Sequence, residues 1–363
     1  MRRSSPGSRP KRAMGRHPFD FHGAAGFVLD TDDPVAVGFF DSEYRTARGD
    51  PAPGTPSVTL TWRRTLAPCL SAPGYRLHVH KLLARWRYRI HLGEAEITLE
   101  AIGNRLALPM VHHMLVHPSL RYLASRRGAL LLHGAAVVLG GRSLVLTGPG
   151  GMGKTTVSAL LLARGGPDWR LHADDYVFLA DGPQTLAYLT RSHLYRSLLD
   201  WLPDLAPRLT PWERLRLDTL GRIRGWSREG IKWPVRLTQD RLWPGREVAQ
   251  RADLAAILVL RRSPGAQPAV TPIPKDSVPG EDLLEMNFFE ARHFQQLVEA
   301  APGSGAGPDW LEAWRQREER ILDARRSDTP FYWLDLPAGS RPDPSIGEQL
   351  VDLLEPIARS GGG

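Results

Sequence analysis

The chain has 363 residues, 42% of them apolar and 24% charged, which suits a globular protein with room for two or three domains. Its one cysteine, Cys69, excludes an internal disulfide framework and an all-thiolate metal site, and reads as a small packed side chain in a reducing cytosol. It lacks a run of about 18 apolar residues and an apolar stretch behind its basic start, so neither a membrane partner nor a secretory signal is expected, and a cytoplasmic location is.

The net charge of +8 is unevenly placed. Arg2, Arg3, Arg9, Lys11, Arg12 and Arg16 fall in residues 1–18 with no acid among them, which leaves about +2 for the remainder. This Ser/Pro/Gly-rich stretch reads as a disordered basic tail, and no nucleic-acid partner is expected from it. Residues 19–125 are expected to form a smaller α+β domain. Ser57–Trp62 is β-branched and alternating, so it predicts a strand, as do Arg76–His80 and Ala95–Leu99. Met110–Ser125 predicts a helix with Met114, Leu115, Leu120 and Leu123 on its apolar face. His112, His113 and His117 on that helix, and His78 and His80 on the strand, lack a supporting carboxylate nearby in sequence and read as packing or surface residues.

A sharper pattern opens at Ala129. Ala129–His133 and Ala135–Leu139 are apolar runs, and Gly140-Gly141 separates the second from Ser143–Thr147. Two such runs around Gly-Gly predict a tight hairpin, because two-residue turns favour positive φ. Thr155–Leu162 predicts a helix with Val157, Leu160 and Leu161 inward. Arg170–His172 and Tyr176–Leu179 flank Asp174-Asp175. Further on, Leu194–Leu205 and Pro211–Leu217 predict helices and Ala255–Leu260 a buried strand. Phe288–Ala300 predicts a helix with Phe289, Phe294 and Leu297 as contacts, followed by a break at residues 301–308. Trp310–Arg325 predicts a charged amphipathic helix, Phe331–Leu336 a strand and Ile346–Ile357 a closing helix. The tryptophans read as packing anchors.

Residues 148–155, Gly-Pro-Gly-Gly-Met-Gly-Lys-Thr, fit G-x-x-x-x-G-K-[ST] at every fixed position. A predicted strand precedes the loop and a predicted helix follows, the context that such a loop needs. Gly148, Gly150, Gly151, Met152 and Gly153 would wrap a phosphate with backbone N–H groups, joined by Thr156 at the helix start. Lys154 would reach the β- and γ-phosphates of ATP, and the Thr155 hydroxyl would sit on Mg²⁺. Asp174 and Asp175 lie close behind the loop in sequence. Two adjacent carboxylates there suit a metal ligand and a proton acceptor. Arg261-Arg262 follows a buried strand and could lie at a ligand-facing strand end.

His133-Gly134, the hairpin, the glycine loop, the helix and His172-Ala173-Asp174-Asp175 resemble the catalytic domain of HPr kinase/phosphorylase, whose nucleotide-binding core is similar to that of PEP carboxykinase. The resemblance covers roughly residues 131–179. It implies an α/β fold with a mixed sheet, and a serine kinase using ATP and Mg²⁺. It also implies that His133 assists an aspartate at the acceptor hydroxyl and that one of Asp174 and Asp175 is the base and the other a metal partner. Asp174 is the expected base, with Asp175 beside the metal. The chain departs from the family pattern at Gly150 and Thr155, where serine is usual. Arg222–Gly225 echoes the phosphorylase signature only in part, so the HPr substrate itself is not expected. The pattern is closer to divergent HPr-kinase-like proteins, some of which phosphorylate a serine of a ribosomal precursor peptide, as in lasso peptide tailoring. In Gly230-Ile231-Lys232-Trp233-Pro234, Lys232 could touch a phosphate or stay solvated.

Together these features predict a catalytic domain at residues 126–357, a flexible end at 358–363, and transfer of the γ-phosphate to a serine of a peptide or protein partner. A homo-oligomer is compatible with the sequence. A small-molecule kinase and a nucleotide-gated ATPase switch are the alternatives.

Overall fold

The computed structural model describes residues 15–65, 74–80, 83–226, 235–338 and 343–360. Cys69, Lys232 and its loop, residues 1–14 of the expected tail and residues 361–363 lie outside them. The fold is α/β, built on two mixed sheets.

The first sheet has strands β1 (Gly15–Phe21), β2 (Ala25–Thr31), β3 (Ser57–Arg64), β4 (Arg76–His80), β5 (Ala84–Leu92) and β6 (Glu96–Gly103), in the order β1-β2-β3-β6-β5-β4. The expected tail boundary at residue 18 is therefore corrected: Gly15 already pairs with Thr31 in an antiparallel ladder. Alternation explains β5. Trp86, Tyr88 and Ile90 point inward while Arg85 and Arg89 face water. Helix α1 (Pro34–Glu43) packs on this sheet. It starts where it does because Asp33 accepts a hydrogen bond from Val35 N–H and Pro34 presets φ.

The chain crosses to the second sheet through α2 (Leu108–Val111), a π-helical turn (His112–Val116) and α3 (His117–Arg126). Met114, Leu115, Leu120 and Leu123 are all buried, as their spacing predicts. The second sheet contains β7 (Leu130–Leu139), β8 (Arg142–Thr147), β9 (Arg170–Ala173), β10 (Tyr176–Leu179), β11 (Gln184–Tyr188), β14 (Arg251–Ser263), β15 (Ala269–Ile273) and β16 (Phe331–Pro337). Its order is β10-β11-β9-β7-β8-β14-β16-β15. Strands β8, β14 and β16 run parallel, and β7 and β15 are antiparallel to their neighbours. The two apolar runs on either side of Gly134 form one strand, and the hairpin turns at Gly140 (φ 58°) and Gly141 (φ 82°), values that a side chain would disfavour.

Helices α4 (Lys154–Arg164) and α10 (Pro344–Ser360) cover one face of this sheet, with Leu160, Leu161, Leu350 and Leu354 in its core. Helices α8 (Gly280–Ala300) and α9 (Trp310–Asp328) cover the other, through Leu283, Leu284 and Leu322. Phe294 and Trp314 of this pair also enter the core of the first sheet, so one apolar cluster runs between the two sheets. Arg121 and Glu318 form a fully buried ion pair there. Arg121 Nε donates to Glu318 Oε1 at 2.7 Å, Trp314 Nε1 donates to the same oxygen at 2.8 Å, and the guanidinium lies over the Phe288 ring at 4.7 Å. Removing either partner would strand the other as a buried charge, at a cost of about 3–5 kcal/mol.

Two expectations are corrected. Residues 194–205 are not one helix. Leu194 ends β12 (Ser192–Leu194), which pairs with β13 (Val235–Leu237). A short α5 (Arg196–Trp201) and a 3₁₀ segment (Pro203–Arg208) follow, because Pro203 and Pro207 remove the donors that a continuous helix needs. The remaining helices are α6 (Pro211–Trp226), whose backbone includes Arg222–Gly225, and α7 (Gln239–Leu242). Phe289 is not a core contact: it is 61% exposed, while Phe294 and Leu297 are buried. Among the described residues no helix is long and apolar enough to cross a membrane.

Candidate functional site

The glycine loop spans the gap between β8 and α4, at the carboxyl end of the parallel strands, where open α/β sheets bind ligands. Gly148 has φ 140°, and a Cβ placed on it would lie 3.0 Å from the Leu260 carbonyl of neighbouring β14, so only glycine fits. Gly150 and Gly151 border open space instead. Lys154 is buried and folds back over the loop. Its Nζ donates to Gly148 O at 2.7 Å and Pro149 O at 3.3 Å. Burial lowers its pKa to about 8, against the pull of Asp175 and Glu290. These two carbonyls hold the ammonium at the loop. Thr155 and Thr156 open α4, half-buried, with the first-turn N–H groups of the helix.

Strand β9 delivers the two aspartates to the same end of the sheet. Asp174 is buried against the Ser192 and Thr155 hydroxyls. Burial and the adjacent Asp175 charge push its carboxyl well above the ordinary range. Asp175 is half-buried, and its Oδ2 accepts from His193 Nδ1 at 3.0 Å; a carboxylate only accepts, so that nitrogen carries the proton. Burial opposes the Asp175 charge. The His193 hydrogen bond, with His193, His133 and Lys154 nearby, outweighs it and holds this carboxyl well below the usual range. The two neighbours are thus pushed apart, a pattern typical of functional carboxylates.

His133 reaches the site from β7. Its backbone is clamped: the N–H donates to Asn287 Oδ1 at 2.8 Å, and its C=O accepts from Thr147 Oγ1 at 3.0 Å. Asn287 Nδ2 in turn donates to Leu131 O at 3.2 Å. The His133 ring meets Tyr176 edge-on at 5.0 Å, and its Nδ1 is buried without a partner among the described residues. Burial, then the Lys154 charge, lowers its pKa to about 4, so the imidazole is neutral at pH 7. Replacing Asn287 with alanine strands two buried backbone groups and is expected to cost about 2–4 kcal/mol, counting roughly 1–3 for each group left unpaired with partial relaxation. Thermal unfolding checks this, and an unchanged midpoint would contradict the clamp.

The structure brings Lys154, Thr155, Asp174, Asp175 and His133 together. It adds His193, Asn287 and Arg262, which sequence reasoning did not single out individually. Asn287 left a signal, a polar residue on the apolar stripe of α8; His193 left none, because β12 is placed by pairing with distant β13. Of the arginine pair, Arg261 is tied to Asp335 at 2.6 Å and lies over Trp333. Arg262 donates through Nη1 to Pro337 O, and its Nη2 would lie 3.9 Å from a Cβ on Gly153. Three further histidines have neighbours of their own. His117 Nδ1 lies 2.9 Å from the Tyr188 hydroxyl, His112 is packed between Phe39, Phe40 and Tyr44, and His78 lies on Trp86. Among the described residues no group of three or more His, Cys, Asp or Glu side chains could hold a metal ion alone.

A cleft of about 760 Å³ opens beside His133 and Gly148, Pro149 and Gly150, and is lined beyond them by α8 and α9. No protein-family model matches the chain, and no curated protein matches it.

Proposed function

We propose that the protein is a nucleotide-dependent phosphotransferase, similar to HPr kinase in the order of its site residues, and that it moves the γ-phosphate of ATP to a serine hydroxyl of a peptide or protein. The observation that carries this reading is the convergence of a buried lysine inside a glycine loop with two aspartates of opposite pKa shift and a neutral histidine, at one end of one sheet.

The loop N–H groups and Lys154 bind and neutralise the phosphates. Asp174 and the Thr155 hydroxyl fit Mg²⁺, because a buried carboxylate whose charge is poorly compensated lies against a hydroxyl, and Mg²⁺ takes few protein ligands beside phosphate oxygens. When bound, the ion supplies charge neutralisation between the phosphates. Asp175 receives the hydroxyl proton as the acceptor oxygen bonds to the γ-phosphorus and the bond to the ADP oxygen breaks. Its partial exposure and its place beside His133, which lines the cleft, and His193 support that role. This allocation reverses the expectation from sequence, which put the base at Asp174 and the metal at Asp175. His133, neutral and with a free Nδ1, can orient the acceptor hydroxyl.

The deciding experiment uses γ-labelled ATP with Mg²⁺, serine peptides and size-fractionated cell extract. Label on a peptide or protein, absent with Asp175→Asn, supports the proposal. Label only in free phosphate, stimulated by a protein partner, supports an ATPase switch instead. Arg262 supplies a finer test. It stands at the loop end of β14 with Nη2 directed at the Gly153 region, so Arg262→Ala is expected to weaken ATP binding by about 10–100-fold, the worth of one charged hydrogen bond. Calorimetry that finds ATP and ADP binding both unchanged would exclude Arg262 from the site.

A further inference from the structure

The cleft beside the glycine loop has features that phosphate binding does not need. Helix α8 turns Leu283, Leu284, Asn287, Ala291 and Phe294 into the core. Phe289 leaves on the other side, 61% exposed at the cleft. Its ring is covered on one side by the Arg292 guanidinium, 3.8 Å from the ring centroid, which is itself fixed by a hydrogen bond from Nη1 to Phe289 O at 2.8 Å. A large apolar side chain kept at the surface with a cation ordered on it contributes little to folding. Aromatic and arginine side chains in such positions are typical binding anchors.

Position says which ligand end the cleft meets. Thr155 and the start of α4 take the inner phosphates and the metal in the proposed reading. Lys154, the side chain that reaches the outer phosphates, points the other way, onto Gly148 and Pro149. These residues and His133 are the inner wall of the cleft. The γ-phosphate therefore faces the cleft, and a molecule lying along α8 would present its hydroxyl to it.

We propose that this cleft seats the acceptor, and that the acceptor is an extended peptide segment with an aromatic or large aliphatic side chain a few residues from the serine, held on Phe289 and Arg292. The inference rests on the phosphotransferase reading. The continuity of the cleft with the loop argues for the acceptor over the nucleoside, and its open mouth, where Phe289 stands among the charged Glu285, Glu290, Arg292 and Arg315, argues for a peptide over a metabolite, which would be largely enclosed by converging polar groups.

The test uses the full chain, γ-labelled ATP, Mg²⁺ and a positional-scanning library of serine-centred peptides, with ATP binding followed by calorimetry. The wild type should favour pools with an aromatic or large aliphatic residue at one flanking position. Phe289→Ala should lose that preference and raise KM for the favoured pool about tenfold or more, with kcat and ATP affinity nearly unchanged. As Phe289 is exposed, this variant should fold. A preference retained in Phe289→Ala overturns the proposal. So does a wild type that binds ATP but labels no peptide pool. A wild type that fails to bind ATP overturns the phosphotransferase reading itself, and the calorimetry separates that outcome from the other two.

Discussion

Replacing Lys154 with methionine is expected to reduce phosphoryl transfer by about 10²–10³-fold without unfolding the protein, the scale of losing one preorganised charge donor at a reacting centre. The side chain is buried and fixed on two loop carbonyls, so its charge is already placed where an anion would arrive. The same burial makes it costly to the empty fold. Its folded pKa, about 8, lies below that of an exposed lysine, so the unfolded chain holds the proton more tightly. Stability therefore rises with pH between about 8 and the unfolded lysine value, and at pH 7 the penalty is fully present. Methionine removes the penalty and keeps the volume. Activity should collapse while the thermal midpoint holds or rises. A large fall in midpoint would mean that Lys154 is a structural residue of the loop, and undiminished transfer would remove it from the site.

The aspartates should separate cleanly. Asp175→Asn is expected to lower kcat by about 10²–10⁴-fold, the usual worth of a positioned proton acceptor, with the Mg²⁺ requirement little changed. Asp174→Asn is expected to raise the Mg²⁺ concentration needed for nucleotide binding. The pH dependences have opposite signs. The Asp174 pKa is raised, so its ionisation costs stability above the unfolded carboxylate value, and stability falls as pH rises through that window. Below its raised pKa the carboxyl is protonated, and the Mg²⁺ requirement should climb as pH falls. The Asp175 pKa is depressed, so its contribution to stability is present above the unfolded value and is lost as pH falls below it. Titrating Mg²⁺-dependent nucleotide binding across pH for wild type and both variants measures this. If Asp174→Asn abolishes transfer at saturating Mg²⁺ and Asp175→Asn leaves it intact, the allocation reverts to Asp174 as base.

Much of the site's chemistry was legible along the chain because it is local. A glycine loop between an apolar β-branched run and a helix keeps its spacing wherever the fold carries it, and residues 148–155 form the expected strand–loop–helix. The hairpin at Gly140-Gly141 and the buried faces of α3 and α4 were readable for the same reason: turn chemistry and 3.6-residue periodicity are properties of neighbours. The β5 strand was harder, because arginine at three of its four outward positions (85, 87 and 89) dilutes the apolar signal that its buried Trp86, Tyr88 and Ile90 carry.

The sequence by itself determined which residue types could hold a phosphate and that two adjacent carboxylates would stand near it. Only the tertiary structure decided what each carboxylate meets. Asp174 and Asp175 form the two-residue bend between β9 and β10, so local periodicity does not say what each side chain meets. What each meets depends on where distant segments lie. Thr155 and Ser192 come to Asp174, and His193 comes to Asp175 because β12 pairs with β13, some forty residues further on. The clamp of His133 by Asn287 and the exposure of Phe289 follow likewise from how α8 is rotated against the second sheet, which a helical pattern with apolar residues on more than one side leaves undetermined.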